Sequence, residues 1–232
     1  MPKNSEHSEE KVDKRIFIIF LIMFTEVLGF SMVAPVIPFL ALSLGLNELQ
    51  IGLILSVFSL CQLFASPVTG KLSDRYGRKP LLILSQLSTF IGFVLLGLAS
   101  EVWILILARL VDGLLGSNMT VSQAYISDIT EPKNRTKVYS YSSAVFGAGL
   151  IFGPFIGGTL STISYSTPMF IAAGVCLVSI LLVVLFLSES LDVKEEKVKI
   201  TFNDIIPIDD AKRFLTESKI RRLLIIFLIY GL

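Results

Sequence analysis

The sequence predicts an all-α membrane protein in which six helices cross the bilayer as one bundle. Hydrophobic residues make up 53% of the chain, whereas a soluble domain averages about 45–50% apolar residues even when glycine is counted. They are collected in runs of roughly 20 residues, the length that a helix needs to cross the hydrocarbon core. Short polar turns separate the runs. The excess of apolar residues therefore belongs to spanning helices.

The predicted spans can be placed in chain order. They cover residues 15–44, 49–72, 80–99, 102–126, 139–160 and 167–187. Span 1 contains Pro35 and Pro38, which predict a kink because proline removes a backbone hydrogen bond from a helix. Cys61 and Cys176 fall inside spans, where we expect small buried side chains rather than a disulfide.

The basic residues predict the orientation of the spans. The 20 lysine and arginine residues lie in the N-terminal tail, in the turns after spans 2 and 4 and in the segment after span 6, except Arg109 within span 4. Basic residues collect on the cytoplasmic side of membrane proteins. We therefore expect a multi-pass protein of the cell membrane with a cytoplasmic N-terminus. The lipid bilayer is an expected partner, and the net charge of +1 gives no indication of a nucleic acid.

Three segments flank the predicted bundle of residues 15–188. Residues 1–14 read as a disordered polar, cytoplasmic tail. Residues 189–222 alternate charged and apolar residues, which is typical of helices at the membrane surface, and a solvated cytoplasmic linker fits equally well. Residues 223–232 are apolar but too few to cross a bilayer. We expect them to be the truncated start of a seventh span.

Charged residues inside the spans are the first candidates for a functional site. A charged side chain at mid-bilayer costs at least about 2.5–3.5 kcal/mol. Glu26 lies about 15 Å into span 1, near the midplane, at the rise per residue of an α-helix. Arg109 and Asp112 lie near the middle of span 4, three residues apart, so they share a helix face and can pair. Mutual neutralisation for packing alone is the structural alternative for that pair.

A polar stripe is predicted along span 4, taken as one helix that turns about 100° per residue. Its members are Arg109, Asp112, Gly113, Gly116, Thr120, Gln123 and Ser127. These positions fall on one face at helical spacing, and Tyr125 falls outside it. A stripe of this kind is expected to look onto other helices or a water-filled cavity rather than lipid.

Two further patterns are more specific than a basic turn or an apolar span alone. The turn between spans 2 and 3 reads Gly-x-Leu-x-Asp-Arg-x-Gly-Arg-Lys-Pro, and its marked residues are Gly70, Asp74, Arg75, Gly77, Arg78 and Lys79. Span 5 carries a glycine ridge, Gly149-x-x-x-Gly153-Pro154-x-x-Gly157-Gly158. Glycines at this spacing let another helix approach closely, and Pro154 predicts a bend.

Together these patterns resemble the major facilitator superfamily of transporters. The turn after span 2 resembles its loop motif, Arg109-x-x-x-Gly113-x-x-Gly116 resembles its span-4 motif, and the ridge resembles the span-5 motif of its antiporters. Glu26 with two downstream prolines, and the sequence Ala-Tyr-Ile-Ser-Asp that ends at Asp128, look most like the twelve-span drug/proton antiporters, including tetracycline exporters. The resemblance implies the N-terminal half of that fold, with the ridge packed against a second six-helix half.

Two positions depart from the family pattern. Asp112 stands where the family often has an uncharged residue, which leaves open whether it tunes Arg109 or belongs to the substrate site. Gly92 stands where tetracycline exporters carry a carboxylate in span 3. The second departure weakens the expectation that tetracycline is the substrate.

The resemblance implies proton-coupled efflux of small apolar or cationic compounds by alternating access. Glu26 would carry the proton or bind a cationic substrate, and Arg109 would bias its protonation. The charged residues of the loop motif and Asp128 would form a cytoplasmic latch between conformations. The expected partners are protons, a small-molecule substrate and the second half, and no cofactor, metal or catalytic residue is expected.

Two alternatives remain open. A sugar or metabolite uptake transporter has the same fold, and the antiporter-like span 5 argues against it. A non-transporting membrane fragment is favoured by the short chain. An enzyme is not expected, because neither His-Glu-x-x-His nor Gly-x-Ser-x-Gly occurs and the single histidine, His7, lies in the polar tail.

Overall fold

The computed structural model of the protein describes residues 14–191. The predicted tail up to residue 13, the predicted linker beyond residue 191 and the predicted start of a seventh span lie outside the described residues. Within the described part, the secondary structure is helical, with short turns between the helices.

Eight helices follow one another along the described chain. They are α1 (Lys14–Val33), α2 (Ile37–Ser43), α3 (Glu48–Tyr76), α4 (Arg78–Gly97), α5 (Val102–Leu115), α6 (Asn118–Ile129), α7 (Arg135–Ser161) and α8 (Ser166–Phe186). The pair α1 and α2 forms one span and the pair α5 and α6 another, so the described residues provide six helical segments long and apolar enough to cross a membrane. The predicted six-span bundle is confirmed.

Span 1 breaks where the sequence predicts a kink. Residues 34–36 form a turn between α1 and α2, and Pro38 lies in the first turn of α2. Proline is tolerated there because the first N–H groups of a helix have no partner within the helix. Pro67 and Pro154 instead lie inside α3 and α7, which continue past them.

Span 4 also breaks, which the sequence did not predict. The backbone N–H of Gly116 donates to the carbonyl oxygen of Asp112 at 2.7 Å and ends α5, and α6 begins at Asn118. A Cβ on Gly116 would lie 2.6 Å from Oδ1 of Asp112. Only a residue without a side chain fits this close turn, so the expectation of one continuous helix was wrong.

The bundle contains two apolar clusters with a polar layer between them. The first cluster includes Ile19 and Ile22 of α1 with Leu82 of α4. The second includes Met32 of α1 and Phe93 of α4. Between these positions along the helices lie Glu26, Thr89, Asp112, Asn118 and Ser179. The candidate residues of spans 1 and 4 therefore share one level of the bundle.

The glycine ridge of α7 packs against α1. A Cβ on Gly149 would lie 2.7 Å from Cγ1 of Val27, and a Cβ on Gly153 would lie 2.7 Å from Cβ of Ser31 and 2.9 Å from the backbone nitrogen of Met32. The Ser31 hydroxyl donates to the carbonyl oxygen of Gly149 at 2.8 Å across the same contact. Small residues allow this close approach of two backbones.

The expectation that the whole ridge faces a second half was therefore wrong. Gly149, Gly153 and Gly157 are buried against α1 within the six-helix bundle. Pro154 and Gly158 lie on the exposed side of α7, and a Cβ on Gly158 would have no heavy atom of the described residues within 4 Å. Within residues 14–191, this second face of the motif is the one left exposed for contact with another bundle.

Candidate functional site

Glu26 lies in the polar layer at the edge of a cavity. The cavity has a volume of about 180 Å³. Its lining comprises the polar residues Glu26, Gln62, Thr89 and Asp112, the aromatic residues Phe30, Phe58, Phe93 and Phe146, and Val27, Gly116 and Met119. Carboxyl groups beside aromatic faces can bind an organic cation, since both attract positive charge.

The two oxygens of Glu26 have different surroundings. Oε1 accepts a hydrogen bond from Nδ2 of Asn118 at 2.7 Å. Oε2 is buried and has no hydrogen-bond partner among the described residues. A charged carboxylate with one unpaired buried oxygen is costly in a membrane interior, and a bound proton or cation would remove that cost.

Arg109 and Asp112 are buried together, as the spacing predicts. Nη2 of Arg109 lies 3.8 Å from Oδ2 of Asp112, and their side chains are 3% and 5% exposed. This distance is too long for a hydrogen bond, and Nε and Nη2 of Arg109 have no hydrogen-bond partner among the described residues. The guanidinium carbon lies 5.4 Å from the centre of the Phe58 ring. Arg109 is therefore held mainly by charge and by the aromatic face.

Two residues that the sequence analysis missed connect these charges. Nδ2 of Asn118 donates to Oγ1 of Thr89 at 3.1 Å as well as to Glu26, and Oγ1 of Thr89 donates to Oδ1 of Asp112 at 2.8 Å. One hydrogen-bonded network thus joins α1, α4, α5 and α6. Asn118 lies two residues after Gly116 in a span, and two polar residues, Ser117 and Asn118, directly after a glycine were the available signal.

The predicted stripe of span 4 is divided by the break at residues 116–117. Arg109, Asp112, Gly113 and Gly116 are buried, but Gln123 is exposed. Tyr125 is fully buried, and its hydroxyl donates to the carbonyl oxygen of Ser188 at 2.8 Å. Beyond the turn at residues 116–117, Thr120 packs against Gly70 of α3 and Gln123 lines a second cavity with Met23, Tyr139 and Ser142.

Gly92 and Asp112, the two positions that depart from the family pattern, lie next to each other. A Cβ on Gly92 would lie 3.0 Å from Cβ and 3.5 Å from Cγ of Asp112. A side chain at position 92 would therefore compete for the space that Asp112 fills. The chain has a carboxylate in this part of the polar layer, and α5 supplies it instead of α4.

The loop motif is organised around Arg78, which is 7% exposed. Its Nη2 lies 2.5 Å from Oδ1 of Asp74 and its Nε lies 3.0 Å from Oδ2 of Asp128. Its Nη1 also donates to the hydroxyl of Ser73. The structure thus brings together Asp74, Arg78 and Asp128, three of the residues predicted to form a latch.

Glu189 holds the start of α4 in the same region. Its carboxylate oxygens accept hydrogen bonds from the backbone N–H groups of Arg78 and Lys79. Next to it, the Ser190 hydroxyl donates to Oδ2 of Asp128 at 3.0 Å. Residue 189 falls in the linker that the sequence predicts, for which no functional role is expected.

The remaining loop residues lie around this cluster. The guanidinium carbon of Arg75 lies 5.0 Å from the centre of the Tyr76 ring. Nζ of Lys79 donates to the carbonyl oxygen of Val184 at 2.9 Å. Gly77 has a φ of 106°, which favours glycine, and Gly70 faces the methyl group of Thr120.

Among the described residues, no group of three or more His, Cys, Asp or Glu side chains is arranged to hold a metal ion. The acidic residues of the polar layer instead interact with an arginine, a threonine and an asparagine. The site as described has the chemistry for holding charge and exchanging protons.

Comparison with protein families and known sequences gives consistent matches. The family model described as the Major Facilitator Superfamily matches residues 19–232. The class H tetracycline resistance protein of Pasteurella multocida is 34% identical over 187 residues, which cover 77% of this chain and 46% of that protein. Multidrug resistance protein 2 of Bacillus subtilis (strain 168) is 34% identical over 184 residues, with coverages of 78% and 46%. The chain spans about half the length of the curated relatives it matches.

Solved structures with the same fold are also found. The human organic anion transporter MFSD10 (TETRAN) has a TM-score of 0.71 and 22% sequence identity, covering 83% of this chain and 52% of that chain. The peptide transporter POT in complex with sulfate has a TM-score of 0.67 and 18% identity, with coverages of 93% and 46%. At these identities the likeness concerns the fold alone.

Proposed function

The chain belongs to the major facilitator superfamily of membrane transporters, and from that premise we propose that it is the N-terminal half of a proton-coupled efflux transporter. The substrates are small apolar or cationic compounds, and a second six-helix half completes the transport path. Export proceeds by alternating access, in which two bundles rock about a site near the midplane. The similarity to tetracycline and multidrug resistance proteins supports efflux over uptake of sugars or metabolites.

One observation carries this proposal. Glu26 lines an aromatic cavity in the polar layer, with one carboxylate oxygen on Asn118 and the other buried and unpaired among the described residues. A proton or a cationic substrate can each neutralise this carboxylate, but not both at once. Binding of the cation then expels the proton, which is the exchange step of an antiporter.

Arg109 and Asp112 provide the charges that act on Glu26 from span 4. Arg109 favours the ionised form of a nearby carboxyl and Asp112 disfavours it, since like charges repel in a medium of low dielectric constant. A change in the distance between these residues and Glu26 therefore alters proton occupancy. This links the conformation of the bundle to proton uptake and release.

The cluster around Arg78 acts as the latch in this proposal. By the distribution of basic residues, it lies on the cytoplasmic side of the cell membrane, together with the N-terminus. Its ion pairs join the start of span 3 to the ends of spans 2 and 4, and the hydrogen bond from Ser190 adds the segment after span 6. Making and breaking them shifts the equilibrium between the two open states.

The test is ethidium export by the protein that carries both halves, measured in everted membrane vesicles with an imposed proton gradient. Glu26→Gln keeps the shape of the side chain and removes the exchangeable proton, and we expect proton-driven export to be lost at normal expression. Glu48→Gln, an exposed residue at the start of α3, is the matched control and should export normally. Export by Glu26→Gln with an unchanged dependence on the gradient would contradict the proposal. Gradient-driven ethidium movement in the opposite direction would favour the uptake alternative.

A further inference from the structure

Asn118 connects two parts of the polar layer through one amide group. It is the first residue of α6 and is 2% exposed. Its Nδ2 donates one N–H to Oε1 of Glu26 at 2.7 Å and the other to Oγ1 of Thr89 at 3.1 Å. Its Oδ1 is buried and has no hydrogen-bond partner among the described residues. Both N–H groups of the amide therefore donate hydrogen bonds, whereas its oxygen accepts none from the described residues.

This arrangement fixes the direction of the next hydrogen bond. A threonine hydroxyl has one proton to donate. Because Oγ1 of Thr89 accepts from Asn118, its own proton is available for Oδ1 of Asp112 at 2.8 Å or for the carbonyl oxygen of Ser85 at 3.2 Å. A carboxylate is the stronger acceptor of the two. The proton of Thr89 therefore points to Asp112.

We propose that Asn118 and Thr89 transmit the protonation state of Glu26 to Asp112. The inference rests on the proposed proton exchange at Glu26. It adds two positioning residues and states what they do: an ionised Glu26 holds the amide of Asn118 with its N–H groups inward, and this orientation directs the hydroxyl of Thr89 to Asp112.

Protonation of Glu26 reverses the direction of these bonds. A proton on Oε2 would be a buried O–H donor without an acceptor among the described residues, since that oxygen has no hydrogen-bond partner. A proton on Oε1 can be donated, but it needs an acceptor where Asn118 now presents an N–H group. A half-turn of the amide exchanges its nitrogen and oxygen, so that Oδ1 accepts from both Glu26 and Thr89. The hydroxyl of Thr89 then turns from Asp112 to Asn118. The proton stays on Glu26, and Asp112 loses one donor.

The two amide orientations are balanced in a way that Glu26 can control. Each leaves one end of the amide without a hydrogen-bond partner among the described residues: Oδ1 in the present orientation and the N–H groups in the reverse one. Burial of an unpaired polar group is costly in either case. The bond to Glu26 therefore decides between them. After the turn, Asp112 depends more strongly on Arg109, 3.8 Å away.

Other charged or titratable groups face the two carboxyl groups from the neighbouring helices. Arg109 lies 3.8 Å from Asp112 on α5, and the thiol of Cys176 on α8 donates to the carbonyl oxygen of Gln86 at 3.2 Å. The surface of α7 that contacts α1 is formed by the glycine ridge, and α3 contributes the amide of Gln62 to the cavity. Arg109, Cys176 and Gln62 remain in every variant used to test the inference.

Infrared difference spectroscopy of the purified 232-residue chain in lipid nanodiscs, recorded across a pH titration, tests the inference. Bands lost in Glu26→Gln identify Glu26, and bands lost in Asp112→Asn identify Asp112. In the unsubstituted chain, we expect the bands of Asp112 to shift at the pH at which Glu26 takes up its proton. Thr89→Val removes the hydroxyl at nearly constant shape and should abolish this shift while Glu26 still titrates.

Three further variants make the test specific. Thr89→Ser keeps a hydroxyl and should retain the response, and Asn118→Leu removes the amide and should lose it. Ser88→Ala is the matched control, because the Ser88 hydroxyl donates to the carbonyl of Ser85 and not to the network. Circular dichroism identifies variants that fail to fold. If Thr89→Val does not fold, the comparison of Asn118→Leu with Thr89→Ser tests the inference in its place.

The outcomes separate this inference from the proposed function. An Asp112 response that persists in Thr89→Val or Asn118→Leu overturns the proposed transmission through Asn118 and Thr89. An unsubstituted chain in which Glu26 titrates while the bands of Asp112 stay unchanged overturns it as well. A Glu26 band that never responds to pH overturns the proposed proton exchange itself. Loss of the Asp112 response in Thr89→Val, with recovery in Thr89→Ser, supports the proposed transmission.

Discussion

The carboxylate of Glu189 accepts hydrogen bonds from the backbone N–H groups of both Arg78 and Lys79, at 2.8 and 3.2 Å. The first N–H groups of a helix have no partner within the helix, and Gly77, the residue before α4, provides no side-chain cap. A Cβ on Gly77 would lie 2.9 Å from Cδ of Glu189. The end of span 6 thus caps the start of span 3 across a glycine.

We expect Glu189→Ala to lower the free energy of unfolding of the chain by about 0.5–2 kcal/mol, the usual cost of losing a helix cap. Chemical unfolding of the purified protein in detergent measures this change. Glu131→Ala, in the exposed loop after α6, is the control and should have little effect. Equal stability of the two variants would show that the cap does not hold α4.

Asp74→Asn separates stability from transport at the latch. The side chain of Asp74 is 41% exposed, and an exposed ion pair contributes about 0–1 kcal/mol to stability. We therefore expect nearly normal unfolding but a strong loss of ethidium export in the protein with both halves, since about 1.4 kcal/mol changes an equilibrium tenfold. Glu131→Gln is the control for a lost surface charge. Normal export by Asp74→Asn would remove the residue from the latch.

The two faces of the span-5 motif predict opposite results for two leucine substitutions. Gly153→Leu would push a side chain into Ser31 and the backbone of Met32, and overpacking of this kind costs about 1–3 kcal/mol or more. We expect a large loss of folded monomer on size-exclusion chromatography of the 232-residue chain. Gly158→Leu points away from the described residues and should fold normally. A fully stable Gly153→Leu chain would contradict the packing of α7 on α1.

Binding of a cation should depend on pH through Glu26. If the cation replaces the proton, affinity rises with pH, because fewer sites are occupied by protons. We expect tetraphenylphosphonium to bind the purified protein with both halves in this manner. Glu26→Gln should bind weakly, with a pH dependence that is largely lost. Isothermal titration calorimetry in buffers of different ionisation enthalpy measures both affinity and proton release. Binding without proton release at any pH would count against exchange at Glu26.

The spans and their kinks were predictable because they depend on local sequence. Run length sets the number of spans, and Pro35 and Pro38 mark the break in span 1. The pairing of Arg109 with Asp112 was predictable for the same reason, since the two residues lie one turn apart. Each of these features needs only the geometry of a single helix.

The partners of these residues could not be predicted in the same way. Glu26 and Asn118 are far apart in sequence, and a continuous span 4 would have given Asn118 a different rotation. The glycine spacing of span 5 predicted a close helix contact but not that α1 makes it. Glu189 is the first residue of the charged segment after span 6, and nothing in the neighbouring sequence indicates that it contacts α4.

The break in span 4 has an electrostatic consequence for the cavity. The aligned peptide dipoles of an α-helix place about half a positive charge at its N-terminus and about half a negative charge at its C-terminus. The C-terminus of α5 and the N-terminus of α6 meet at residues 116–117, so these opposite partial charges lie side by side. The carbonyl oxygen of Gly116 accepts from Nε2 of Gln62 at 3.1 Å, while the amide of Asn118 donates to Glu26. Each partial charge at the break therefore has a partner of opposite sign, the carboxylate of Glu26 at the start of α6 and the amide N–H of Gln62 at the end of α5, so the broken helix itself holds both side chains at the cavity.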